Sequence, residues 1–262
     1  MSKNGILVVS FGTSHLDTLN KTIRCIEEDI KEVYPEYQLF RAFTSKMIIN
    51  ILKTREQYAV YTVTEALLAM KEQGIEHIII QPTHIINGIE NDNMISDIMK
   101  LREAFKSIKI GAPLLNDTKD YMNIIDRFMK EINVANGDLA LVCMGHGTTH
   151  YSNTSYAALE YMFHDAGYED VYIGTVEAYP DIDTVIKKLK KRSYKKILLT
   201  PFMIVAGDHA KNDMAGEEED SWNNILMEEG YEVECLLKGL GEYKGVRKIF
   251  LEHIKEAKEI LE

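Results

Sequence analysis

Gly5-Ile-Leu-Val-Val-Ser-Phe-Gly-Thr13 near the start of the chain and Gly137-Asp-Leu-Ala-Leu-Val-Cys-Met-Gly-His146 at its middle follow one plan. Each is a short apolar run ending in glycine, the pattern of a strand covered on both faces by helices. A second pair follows. Ile78-Ile-Ile-Gln-Pro-Thr-His-Ile-Ile-Asn-Gly-Ile-Glu90 resembles Ile197-Leu-Leu-Thr-Pro-Phe-Met-Ile-Val-Ala-Gly-Asp-His209, so Pro82 matches Pro201, Gly88 matches Gly207 and Glu90 matches His209, at an offset of 119 residues. In the first pair Gly12 aligns with Gly145 and Thr13 with His146, at an offset of 133. The chain thus reads as an internal duplication. The difference of 14 residues predicts an insertion in the first half, at the helical segment 45–57.

Outward from these runs, strands are predicted at 6–10, 38–42, 77–81, 108–112, 139–144, 171–175, 196–200 and 232–236. Helical patterns fall at 18–33, 62–71, 92–105, 121–132 and 181–191. Strands alternating with helices give βαβ units and an α/β fold with parallel sheets. The expected lobes are 1–135 and 136–262, each with a four-stranded sheet, joined near Asn133 to Gly137, where Asn-Gly marks a turn.

The 262 residues are 45% hydrophobic and 27% charged, which excludes a disordered or collagenous chain. A net charge of −11 with no long basic run argues against nucleic acid as a partner. Cys25, Cys143 and Cys235 are widely spaced, as reduced thiols are, and Cys143 sits in an apolar run as core filler. No run has the 18 or more apolar residues of a membrane span, and the start lacks the apolar region of a signal peptide, so a cytoplasmic protein without a membrane partner is expected.

Ligands of such sheets bind beyond the carboxyl ends of the strands. Three candidate metal ligands fall there in the second half: His146, Glu177 and His209. Two imidazoles and a carboxylate suit a divalent first-row metal, with a position left open for exchange or reaction. Gly145 and Gly147 let the chain turn on either side of His146. Each residue is equally at home as a plain loop side chain, and both readings stand on the spacing alone. His146 and His150 have the four-residue spacing of a zinc helix, but no Glu follows His146 and Gly147-Thr-Thr149 is a poor helix former. No GxSxG elbow, GxxxxGK[ST] loop or GxGxxG fingerprint is present, which removes the usual anchors of hydrolase, nucleotide and dinucleotide chemistry.

In the first half Ser10, Phe11, Gly12, Thr13 and Ser14 join a strand to a helix and offer N–H groups and hydroxyls to a carboxylate, or simply cap the helix. Thr44, Ser45 and Lys46 at the next strand end add hydroxyls and a positive charge. Glu90 reads as a proton acceptor, an acid near a metal or a solvated carboxylate, and His84 as a satisfied loop histidine.

Val8-Val-Ser-Phe-Gly-Thr-Ser14, Arg41-Ala-Phe-Thr-Ser45, Gln81-Pro-Thr-His-Ile-Ile-Asn-Gly88, Met144-Gly-His-Gly-Thr148, Gly174-Thr-Val-Glu177 and Pro201-Phe-Met-Ile-Val-Ala-Gly-Asp-His-Ala210 together resemble the anaerobic sirohydrochlorin cobaltochelatases, class II chelatases of cobalamin biosynthesis. The resemblance implies a chelatase-like fold of two pseudo-symmetric Rossmann-like lobes about an active-site cleft. It implies that His146, Glu177 and His209 bind the metal, and that Glu90 lies near metal and substrate. The implied reaction inserts Co²⁺, itself a substrate, into sirohydrochlorin or precorrin-2 with loss of two pyrrole protons, without ATP or an organic cofactor. His146 or Glu90 would accept a proton, as neutral imidazole and carboxylate do near neutral pH. The stretches Ser10 to Ser14 and Thr44 to Lys46 would hold the macrocycle's carboxylates. A ferrochelatase or nickel chelatase, or a tetrapyrrole or metal carrier without turnover, is the alternative, and a homo-oligomer stays open.

Overall fold

The computed structural model describes residues 3–132 and 138–260, so the expected join at 133–137 lies outside the described residues. Its strands are β1 (Lys3–Ser10), β2 (Gln38–Phe43), β3 (Tyr61–Thr62), β4 (Ile75–Pro82), β5 (Ser107–Ile110), β6 (Leu139–Gly145), β7 (Val171–Thr175), β8 (Lys196–Pro201), β9 (Glu232–Cys235) and β10 (Lys258–Glu259). Its α-helices are α1 (Leu16–Lys21), α2 (Ile23–Val33), α3 (Lys46–Arg55), α4 (Val63–Glu72), α5 (Ile89–Met99), α6 (Thr118–Ile132), α7 (Thr154–Asp165), α8 (Ile182–Leu189), α9 (Trp222–Glu228) and α10 (Lys244–Lys255). All eight predicted strands are present. β3 and β10 are two-residue additions at the sheet edges that carry no hydrophobic pattern.

Two sheets form, in the orders β10-β5-β4-β1-β2-β3 and β7-β6-β8-β9. Every pairing is parallel except that of β10 with β5. The expected four strands per lobe hold for the second sheet, whereas the first has six. Without its edge additions the first sheet reads β5-β4-β1-β2, the counterpart of β9-β8-β6-β7. The duplication is therefore present in topology as well as in sequence. The surplus helix of the first repeat is α3, with Ser45 as its N-cap accepting from the Ile48 N–H at 3.4 Å. It occupies the predicted insertion.

The register of the repeat differs by two residues from the sequence alignment. Val9 pairs with Pro82 and Met144 with Pro201, so Val9 and Met144 are equivalent, at an offset of 135. Gly12 then corresponds to Gly147, and both have positive φ, 104° and 86°. The run Gly145-His-Gly147 offered two glycines to align, and Gly145 is the wrong one. His146 accordingly matches Phe11 rather than Thr13.

Some helices differ from expectation for local reasons. The predicted helix at 18–33 is broken at Thr22, whose hydroxyl donates to the Thr18 carbonyl at 2.6 Å and whose backbone leaves the helical region. The pattern at 92–105 resolves into α5, begun earlier at the Gly88 cap, and a short 3₁₀ turn, Arg102–Ala104.

Contacts divide the chain into one unit of Met1–Asn116 with Val246–Glu262 and another of Asp117–Gly245. These limits depart from the expected 1–135 and 136–262 because the helix ending the first repeat belongs to the second unit, and the chain's last helix to the first. In the second unit Phe128 of α6 meets Phe202 and Tyr243 edge-on, at ring separations of 5.9 and 5.3 Å. In the first, α10 buries Val246, Ile249, Phe250 and Ile254, and its Arg247 bonds Asp29 at 2.7 Å. Each unit has its own core: Leu7, Val9, Leu67, Ile78 and Ile80 in the first, Val142, Met144, Ile197, Leu199 and Trp222 in the second. Among the described residues no helix is long and apolar enough to cross a membrane.

Candidate metal centre

In the second unit the central strands β6 and β8 and their neighbour β7 each release a donor just past their carboxyl ends. β6 ends in Gly145, where a Cβ would lie 2.5 Å from the Tyr156 ring. His146 follows. At Gly147, φ is +86° and a Cβ would come within 2.9 Å of the Ala178 nitrogen. Glycine on both sides lets the chain turn back beside the loop after β7, and the Glu177 N–H donates to the His146 carbonyl at 2.9 Å. After β8, Gly207 and Asp208 lead to His209, which opens a π-helical turn, Ala210–Met214.

His146, Glu177 and His209 each turn a donor atom inward, all within 4.8 Å of one another. Nδ1 of His146 donates to the Gly147 carbonyl at 2.9 Å and so leaves the Nε2 lone pair for an ion. That Nδ1 lies 3.8 Å from Oε2 of Glu177, and Nε2 of His209 lies 3.8 Å from its Oε1. The imidazoles meet edge to face with ring centroids 4.6 Å apart. Donors bound at about 2.1 Å to a common ion stand roughly 3–4 Å apart, so this set closes on a divalent ion with a small inward adjustment. His209 donates from Nδ1 to Oδ2 of Asp213 at 2.6 Å. That bond fixes the tautomer with the Nε2 lone pair toward Glu177, the usual service of a carboxylate behind a metal-binding histidine. Asp213 was missed in the sequence; its four-residue spacing from His209 on a helical turn is the signal that could have found it. With side chains 36%, 54% and 33% exposed, the three donors are open to solvent, as exchange of a metal requires.

The register places Phe11, Ser45 and Glu90 at the corresponding positions of the first unit. The Ser45 N–H bonds the Phe11 carbonyl at 3.2 Å as Glu177 bonds His146, and Asp92 bonds Gly88 as Lys211 bonds Gly207, both at 3.0 Å. Here the first imidazole is replaced by a phenyl ring and the carboxylate by the cap of α3. Of these three positions, only that of Glu90 carries a side chain of metal-ligating type.

Ser10 to Ser14 and Thr44 to Lys46 are brought together at the ends of β1 and β2, where the Thr44 N–H donates to the Ser10 carbonyl at 2.9 Å. Ser10, Gly12, Thr13 and Ser45 are buried, Ser14 and Thr44 are half-buried, and Phe11 and Lys46 are exposed. Ser10 Oγ accepts from the Thr83 hydroxyl at 2.8 Å and Thr13 Oγ1 from the His15 N–H at 3.2 Å. Glu90 lies in the first turn of α5, half-buried. His84 is not the satisfied loop histidine expected: it is buried, neither ring nitrogen has a partner at bonding distance, and burial drives its pKa down to about 4.

A duplicated parallel α/β architecture with three candidate metal donors beyond its strand ends fits the class of the chelatases. The fold matches SirB from Bacillus subtilis with Fe³⁺ at a TM-score of 0.67 and 17% identity, over 97% of this chain and 95% of that one. It also matches CbiX, the terminal enzyme for biosynthesis of siroheme in denitrifying bacteria, at a TM-score of 0.56 and 15% identity, over 97% and 99% of the two chains. The chain belongs to the CbiK cobalt chelatase family, whose model matches residues 4–259. It is 37% identical over 255 residues to the sirohydrochlorin cobaltochelatase of Salmonella typhimurium, covering 97% of this chain and 96% of the relative. To sirohydrochlorin cobaltochelatase CbiKC of Nitratidesulfovibrio vulgaris it is 31% identical over 265 residues, covering 100% and 93%.

Proposed function

We propose that this chain inserts Co²⁺ into sirohydrochlorin, and that His146, Glu177 and His209 hold the ion before transfer. The inward-facing donor set, with Asp213 behind His209, is the observation that carries this reading; membership of the cobalt chelatase family supports it. Two imidazoles and one carboxylate bind a divalent ion without satisfying it, so pyrrole nitrogens can displace them one at a time. Two pyrrole protons must leave as the ion enters, so the charge of the macrocycle's core balances and no ATP is called for. His146 or Glu90 accepts such a proton, and general-base assistance of this kind is worth about 10²–10⁴-fold. Ser10 to Ser14 and Thr44 to Lys46 are assigned to the macrocycle's carboxylates, with Lys46 the positive charge among them. Cys25, Cys143 and Cys235 form no disulfide among the described residues, a state that suits the reducing cytoplasm.

The test is anaerobic insertion followed by visible absorption. H146A and H209A are expected to lose Co²⁺ insertion while their circular dichroism stays that of the wild type. Undiminished insertion by both defeats the assignment. Parallel runs with Fe²⁺ and Ni²⁺ identify the preferred metal, and a halt after one equivalent of product would mark a carrier.

A further inference from the structure

The loop that bears His146 is fastened from one side by the first turn of α7. Successive backbone N–H groups in a tight turn beyond a strand form a concavity that attracts anions. Here the N–H groups of His146, Gly147 and Thr148 face two side chains of the following helix. The first two lie beside the Tyr156 phenol oxygen, whose pKa burial raises and these N–H groups pull down against that rise. Asn153 Oδ1 accepts from the third at 3.0 Å.

Both side chains are set to this task at some cost to other uses. Tyr156 is buried, and its ring fills the space that a side chain at position 145 would need. Asn153 stands at the N-cap of α7, where asparagine ordinarily accepts from its own helix, yet it makes no cap bond. Its amide instead donates to the Tyr179 carbonyl at 2.5 Å, in the loop just beyond Glu177. One side chain therefore ties the loop after His146 to the loop after Glu177. Asn153 and Tyr156 are three residues apart, on one face of the helix.

We infer that Asn153 and Tyr156 are positioning residues that hold His146 and Glu177 at metal-binding separation, turning an anion-type turn into a rigid mount for a cation. The inference rests on the metal-centre assignment proposed above. Loss of an outer partner of this kind lowers metal affinity by about 10–100-fold. Y156F removes only the oxygen and keeps the ring beside Gly145; N153A removes the tie between the loops.

Anaerobic titration of the full chain with Co²⁺ alone, followed by its ligand-field absorption, reads the effect without tetrapyrrole. Each variant is expected to bind Co²⁺ about 10–100-fold more weakly and with altered absorption bands. In turnover the KM for Co²⁺ should rise by a similar factor with kcat little changed. A merely structural role would lower the melting temperature and leave the affinity and bands of the folded protein alone; that result overturns the inference. N153A, at a half-exposed site, decides the matter should Y156F lose its fold. Failure of the wild type itself to bind Co²⁺ would remove the metal-centre assignment and this inference with it, and is distinguishable from a wild type and variants that bind equally well.

Discussion

His84 stands where the second repeat has Met203, and a methionine would bury there without loss. An imidazole with two unpartnered nitrogens in such a place costs about 1–3 kcal/mol per orphaned group. Its value of about 4 in the folded chain lies below the ordinary 6.5, because burial disfavours the cation and nearby Asn91 offsets little of that. Between those pH values the unfolded chain takes up a proton that the native state refuses. Stability linked to His84 is thus whole above pH 6.5 and drains away as pH falls toward 4, by about 3 kcal/mol over the window. H84M should lose this part of the pH dependence. Guanidinium midpoints at pH 7 and pH 4.5 should lie closer together for H84M than for the wild type, and an equal spread would refute the account. His146, Glu177 and His209 were legible as candidate donors because each lies in the loop beyond a dense apolar run. The orphaned state of His84 was not, because a histidine in a loop carries no local sign that its ring is buried.

At the scale of elements, the turns after the strands decide what the unit can hold. G147A combines two penalties: a left-handed backbone, about 1–2 kcal/mol for a residue with a Cβ, and contacts of 2.9 Å with the Ala178 nitrogen and the Thr175 Cβ. Gly74 is the control, with φ of +75° and nothing within 4 Å of its Cβ position. G74A should cost about 1–2 kcal/mol and leave Co²⁺ binding alone. G147A should cost more and also weaken Co²⁺ binding, since it pushes apart the two donor-bearing loops. Thermal unfolding and Co²⁺ titration of the pair check both halves. Strands were legible because a buried parallel strand announces itself as a dense apolar run. The break at Thr22 was hidden, because a threonine inside an amphipathic pattern bonds back to the Thr18 carbonyl without changing the pattern. α10 was overlooked although Val246, Ile249, Phe250, His253 and Ile254 follow helical spacing. Only its attachment to the first unit is beyond local reading.

For the whole molecule, the duplication made the fold class legible, while the exchange of terminal helices between the units made the boundaries illegible. Correcting those boundaries sharpens the charge distribution. Residues 1–116 with 246–262 carry 17 positive and 18 negative charges, net −1; residues 117–245 carry 13 and 23, net −10. The unit with the candidate metal donors is therefore the acidic one. A dense negative field draws a small cation toward its site, and this attraction extends over a screening length of about 30 Å at 0.01 M salt but only about 8 Å at 0.15 M. A polycarboxylate macrocycle approaching a protein of net charge −11 feels the opposite force. Raising inert salt across that range should increase the KM for Co²⁺ and decrease the KM for the tetrapyrrole, with kcat nearly constant. Steady-state rates with each substrate varied in turn, at matched pH and in a non-coordinating buffer, separate the two trends. Parallel shifts of both KM values would point to a general effect of salt on the fold and refute a steering role for the acidic unit. Opposite shifts require that the same field gathers one substrate and resists the other.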